Sequence, residues 1–212
     1  VIQIASVLHI QGEDRPRAKV LHVLNTCSAI VGAEVNCYSN EKDLLKAWAS
    51  FINLVDPDII TGYNIGNFDI PYILNRAKKL RVQTEVWGLT RLVHTAARMQ
   101  DKTFSSSAYG TRTDKEITIA GRSVFDMLKY MFRNHKFSSY TLNAVSAHFL
   151  GQQKEDVHHS IISDLHRGSD DDRRRLAVYC LKDAHLPLLL MEKLYVLINY
   201  VEMARVTGVP ID

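Results

Sequence analysis

Three side chains in this 212-residue chain have the type and setting to manage a divalent cation: Asp69, Tyr179 and Asp183. Tyr179 and Asp183 stand four apart in Tyr179-Cys-Leu-Lys-Asp183. On a helix that spacing puts phenol and carboxylate on one face, one turn apart. The acid can hold a cation while the phenol orients an attacking water, which is the chemistry of a metal-dependent nuclease. Chance pairs at this spacing are common, so the pair alone reads as structural. Asp69 lies in Thr61-Gly-Tyr-Asn-Ile-Gly-Asn-Phe-Asp-Ile-Pro-Tyr-Ile-Leu-Asn-Arg76, where an apolar strand gives way to a polar turn and then a helix. An acid there suits a metal ligand in an α/β nuclease. The competing reading is a helix cap.

The elements around these residues follow from periodicity and turn chemistry. Residues 1–10 and Ala18–Leu24 are β-rich and joined by a polar turn, an antiparallel pair. Glu41–Val55 is helical, with Leu44, Leu45, Trp48, Phe51, Ile52 and Val55 on one face and Asn40 with Asp43 at its start. Pro57 ends it, and residues 58–62 form a short buried strand ahead of Asp69. A second helix runs over about 70–80, with Ile70, Ile73, Leu74 and Ala77 inward, and Pro71 is tolerated in its first turn. Residues 98–113 read as a long polar loop, because they show no apolar periodicity. Residues 117–119 and 123–125 read as strands. Leu142, Val145 and Phe149 mark a helix that Gly151 can end. From 170 to 205 the pattern is helical, with three acids at its start and Pro187 kinking or dividing it. This order suits a mixed α/β sheet.

Bulk properties narrow the class without choosing a function. Composition is that of a globular protein, 46% hydrophobic and 23% charged. No stretch is apolar enough over about 20 residues to cross a bilayer, so no membrane partner is expected. Cys27, Cys37 and Cys180 form no Cys-x-x-Cys pair, which argues for a reducing compartment and against a zinc site. A net charge of +3 permits nucleic-acid binding without demonstrating it. Both ends of the sequence look cut, so the expectation is one domain over 1–212, truncated at both ends.

Taken together, Asn64-Ile-Gly-Asn-Phe-Asp69 and Tyr179–Asp183, more than a hundred residues apart, resemble the second and third motifs of the 3′→5′ proofreading exonuclease domain of family B DNA polymerases. The resemblance extends to Asp56-Pro-Asp-Ile-Ile-Thr-Gly-Tyr-Asn64, Ser139-Tyr-Thr-Leu-Asn-Ala-Val145, His148-Phe-Leu-Gly151, Lys154-Glu-Asp-Val157, Arg173-Arg-Arg-Leu-Ala-Val-Tyr-Cys-Leu-Lys-Asp183 and Val201-Glu-Met-Ala-Arg-Val-Thr-Gly-Val-Pro210. It implies a ribonuclease-H-like α/β fold, a mixed sheet flanked by helices, here without its upstream first strand. It implies two Mg²⁺ ions, with Mn²⁺ also suitable. Asp69 resembles the ligand of one ion and Asp183 of the other, with Tyr179 positioning water. Asn64, Asn67 and Phe68 stand where the family shapes the pocket for the terminal nucleotide. The implied substrate is a mismatched DNA primer 3′ end, and the implied parent is a replicative, nuclear DNA-directed DNA polymerase with accessory subunits and a sliding clamp. Residues 98–113 stand where related polymerases place a β-hairpin.

The family's first motif, an Asp-x-Glu pair, has no match here. Two carboxylates in place of four imply that this stretch alone is inactive. Other residues admit simpler readings. Asp126 reads as a cap or hydrogen-bonding acid, His158, His159 and His166 as surface histidines in a polar loop, and Arg173, Arg174 and Arg175 as a solvated, ion-paired helix face. Trp48 reads as core. Tyr140 either stacks on an unpaired DNA base or packs internally. Rival functions are an RNA-processing 3′→5′ exonuclease and a non-catalytic DNA-positioning module.

Overall fold

The computed structural model describes residues 1–106, 110–151, 159–209 and 211. Residues 107–109, Lys154–Val157 and His158 fall outside that range. The architecture is mixed α/β, with three small sheets and eight helices among the described residues. The chain forms two compact units, Val1–Trp48 with Thr141–Leu190, and Ala49–Tyr140 with Met191–Asp212.

The first unit holds β1 (Gln3–Leu8), β2 (Ala18–Leu24) and β3 (Glu34–Tyr38). β1 and β2 pair antiparallel as expected, and β3, which the sequence pattern did not suggest, adds to β2 in parallel. Helix α1 (Glu41–Val55) begins where the Asn40 carboxamide accepts from the Asp43 amide at 2.9 Å. Its apolar stripe is buried at Leu44, Leu45, Trp48 and Ile52. Leu21 and Val23 of β2 are fully buried and pack with Ala177, with Val35 and Leu181 at the edge of the same cluster. Hydrophobic burial therefore seats the long helix described below on the inner face of this sheet.

The second unit is built on β4 (Ile59–Gly62), followed by α2 (Asp69–Leu80) and α3 (Gln83–Trp87). The four positions expected to face inward on α2 are all buried, along with Pro71. Arg91 and the buried Arg122 fasten the start of β4. Both donate to Asp56 Oδ1, at 2.8 and 2.6 Å, and Arg122 also donates to the Leu89 and Pro57 carbonyls.

Residues 98–113 depart from the polar loop that periodicity suggested and accord with the β-hairpin that the family resemblance implies there. β5 (Arg98–Ser106) and β6 (Gly110–Thr118) form a two-stranded antiparallel ribbon. None of the ribbon's described side chains is fully buried, so nothing there imposes alternation of apolar and polar residues, and periodicity gives no strand signal. The strands are joined by their backbone ladder, with exposed cross-strand ion pairs at Lys102–Glu116 (2.8 Å) and Lys115–Asp101 (3.3 Å). β7 (Ser123–Asp126) then pairs parallel to β4 and leads into α4 (Met127–Asn134).

The chain continues through α5 (Leu142–Leu150), which Gly151 ends in a left-handed conformation as expected, and α6 (His159–Arg167). His166 therefore lies on a helix rather than in a polar loop, half-buried, and burial pushes its pKa down. Helix α7 (Asp170–Lys193) passes through Pro187 without dividing. The break comes later, at Tyr195 (φ 50°), before α8 (Val196–Thr207). Pro187 cannot donate to the Asp183 carbonyl, yet Leu186 and Leu190 beside it are fully buried, and that packing holds the helix together.

Candidate active site

Asp69 is placed by a loop whose conformation depends on distant residues. Gly62 ends β4 where a Cβ would lie 2.3 Å from the Ile65 side chain, so only glycine lets the chain fold back here. Asn64 adopts a left-handed conformation (φ 63°), which asparagine tolerates better than most residues. Its carbonyl accepts from the Asn67 and Phe68 amides, closing the turn, and Asp69 follows as the first residue of α2.

Two side chains clamp this turn, Asp126 from outside it and Asn67 from within it. The buried Asp126 carboxylate accepts from the Asn64 amide at 2.8 Å and from the Gly66 amide at 3.1 Å, and also caps α4 through the Leu128 amide at 3.0 Å. Asp126 is thus the expected cap and more, since one carboxylate organises both the turn and a helix start. The Asn67 carboxamide accepts from the Lys115 amide at 2.9 Å and donates to Asp114 at 3.1 Å, both on β6. Tyr63 donates through its hydroxyl to the Tyr140 carbonyl, and burial holds its phenol well above the usual pKa.

At the end of the turn the Asp69 side chain is exposed. The N-cap position of α2 is Phe68, with no side-chain cap, so Asp69 is not the capping residue. Phe68 is 65% exposed and its ring lies nearly parallel to that of Tyr72, which is 51% exposed, at a centroid distance of 6.4 Å. Two large exposed aromatic rings beside a carboxylate form a surface on which a base can stack. Tyr140 is engaged internally. Its hydroxyl donates to the His135 carbonyl at 2.8 Å and accepts from the Phe137 amide at 3.2 Å, and its ring packs on Phe132.

Tyr179 and Asp183 belong to the other unit, on α7, and both are half-buried. The helix start is fixed by a reciprocal pair in which Ser169 and Asp172 bond each other's amides, at 2.8 and 3.2 Å. Arg173 is not the solvated residue that its neighbourhood suggested. It is buried and donates to the carbonyls of Thr26, His166 and Gly168 and to Asp170. A three-acid, three-base run conceals this, because only the helix phase selects which base turns inward. Asn64, Asn67, Phe68, Asp69 and Tyr140 are all in the second unit. The residues that reading by motif passed over are Tyr63, Asp114 and Lys115. Each acts through a contact distant in sequence.

Among the described residues, no three His, Cys, Asp or Glu side chains converge as a complete metal-ligand set. Asp69 and Asp183 are hard oxygen donors of the kind Mg²⁺ takes singly or in pairs, with water and phosphate oxygens completing its sphere. The donor type fits. The number present fits partial coordination only.

A strand–turn–helix junction presenting an acid beside exposed rings, in a mixed α/β chain, suits a nuclease. The chain matches DNA polymerase family B, exonuclease domain, over residues 1–145 and belongs to that family. It is similar to the DNA polymerase delta catalytic subunits of Glycine max (56% identical over 212 residues, 100% of this chain and 19% of the relative), Candida albicans (54% over 210 residues, 99% and 20%) and Schizosaccharomyces pombe (52% over 212 residues, 100% and 19%). The chain therefore spans about a fifth of the length of these curated relatives.

Proposed function

We propose that this chain is the proofreading part of a replicative DNA polymerase of the delta type, removing mismatched nucleotides from a primer 3′ end. The observation that carries the reading is the loop at 62–69: held by Asp126 and Asn67, it presents Asp69 at the start of α2 beside the exposed Phe68 and Tyr72 rings. A frayed end suits such a surface, because an unpaired base costs least to unstack, and selectivity then needs no reading of sequence. Phe68 stacks on the terminal base, while Asn64 and Asn67 shape the walls of its pocket.

Asp69 and Asp183 would hold the divalent cations, Mg²⁺ first and Mn²⁺ as a substitute, each supplying one carboxylate. When bound, such ions lower the pKa of a water and offset charge on the leaving oxygen. The Tyr179 phenol, one helical turn from Asp183, would orient the attacking water toward the phosphodiester. The whole protein would carry DNA-directed polymerase activity, act in the nucleus and work with accessory subunits and a sliding clamp.

The test is excision by the full-length catalytic subunit. Asp69→Ala and Asp183→Ala should each slow removal of a mismatched 3′ nucleotide by about 10³-fold, since a metal's charge stabilisation is worth several kcal/mol. Primer extension should persist. Unchanged excision would support a non-catalytic, DNA-positioning role instead, and preferential digestion of RNA ends would favour an RNA-processing enzyme.

A further inference from the structure

Asn67 makes a connection that a pocket wall does not require. Its carboxamide joins the turn ahead of Asp69 to the outer edge of the β5–β6 ribbon. Lys115 pairs with Asp101 across the ribbon, yet its amide donates outward, to Asn67 Oδ1 at 2.9 Å. The neighbouring Asp114 accepts from Asn67 Nδ2 at 3.1 Å. One acceptor oxygen and one donor nitrogen on the same carbon meet one backbone N–H and one carboxylate, a match that Asn supplies and Asp does not.

Each side of the contact has a use for the other. A two-stranded ribbon is marginal by itself, and its exposed cross-strand ion pairs add little. The turn, in return, gains a fixed point two residues before Asp69, and the Asn67 and Phe68 amides tie that point to the Asn64 carbonyl. A shift of β6 along its own axis would move Asn67 and, through this short turn, the start of α2.

We propose that Asn67 is a positioning residue: its carboxamide seats the β5–β6 ribbon on the turn ahead of Asp69, so that the ribbon helps to set where this carboxylate stands. The proposal rests on the reading of Asp69 as a metal ligand.

An exchange of donor and acceptor tests it in the full-length catalytic subunit. Asn67→Asp sets two carboxylates against each other, and Asp114→Asn in the same molecule restores the donor from the other side. In single-turnover excision of single-stranded DNA, Asn67→Asp should be about tenfold slower at saturating DNA. The double variant should recover to within about threefold. A second readout needs no catalysis. In metal-free protein, Asn67→Ala should speed amide hydrogen exchange in β6 and in residues 63–69, while α1 keeps its protection as the sign of an intact fold.

A double variant no faster than Asn67→Asp alone, a defect confined to KM, or unchanged exchange in β6 would each overturn the proposal while leaving Asp69's role standing. Asp69→Ala is measured alongside. Retained excision there would remove the parent reading, and the proposal with it.

Discussion

Asp69 and the Tyr179–Asp183 pair are held in place by different means. Tyr179 and Asp183 sit on α7, where helical periodicity alone fixes their spacing, and the helix is seated by Ala177 and Leu181 against β2 and anchored by Arg173. Asp69 stands at the end of a turn that helical periodicity does not fix. Its place depends on Gly62, on the left-handed Asn64, and on clamps from Asp126 and Asn67, whose partners lie 47 to 62 residues away in the chain. A helix carries its own geometry wherever it is seated. A turn borrows its geometry from its surroundings, so damage far from Asp69 should reach it more readily than damage far from Asp183.

That contrast predicts a divergence between two anchor variants, with the largest effect on the turn. Asp126→Ala leaves three amides without their acceptor and should destabilise the protein by about 2–4 kcal/mol in chemical denaturation. It should also slow excision by the molecules that remain folded, by about tenfold or more. Arg173→Ala should cost a comparable amount of stability, yet leave excision per folded molecule within about threefold. Equal losses of excision in the two variants would break the comparison.

Phe68→Ala is expected to have a smaller and different effect. The ring is mostly exposed, so stability should barely change, whereas loss of base stacking worth about 1–3 kcal/mol should raise KM for single-stranded ends by about tenfold. A change confined to kcat would remove Phe68 from the substrate surface.

The smallest effect is expected from pH, on the helix side. His22 lies between Leu21 and Val23 on the strand that seats α7, 2% exposed, with Nδ1 3.0 Å from the Tyr38 hydroxyl. Burial lowers its pKa, against a weaker upward pull from Glu34. The unfolded chain therefore binds a proton at higher pH than the folded one. The stability this group contributes is present above the ordinary histidine pKa of about 6.5 and is lost as pH falls below it. His166 and His185 are lowered in the same direction. Acidification from pH 7 to 5 should therefore reduce stability, and His22→Gln should flatten that slope in denaturant titrations. An unaltered slope would exclude His22 as a contributor.

Local pattern was sufficient for much of this. The apolar stripes of α1 and α2, the Asn40 start signal, the Gly151 stop and the four-residue step from Tyr179 to Asp183 are each written within one or two helical turns, and they stand in the structure as periodicity requires. The motifs around Asp69 and Asp183 likewise pointed to the exonuclease family that the chain belongs to. Where stability comes from partners distant in the chain, the pattern failed. None of the described side chains of the β5–β6 ribbon is fully buried to impose alternation, Arg173 turns inward among identical neighbours, and Pro187 is tolerated because Leu186 and Leu190 are packed around it. Asp126 shows the same boundary within a single residue. Its capping of α4 can be read from a strand followed by a helix, whereas its hold on the turn before Asp69 is made across 60 residues by amides that no local pattern identifies. Chemistry that depends on residue type and helical phase resides in the sequence. The placement of a carboxylate at the end of a turn is decided by long-range hydrogen bonds, because the turn has no regular structure of its own to fix it.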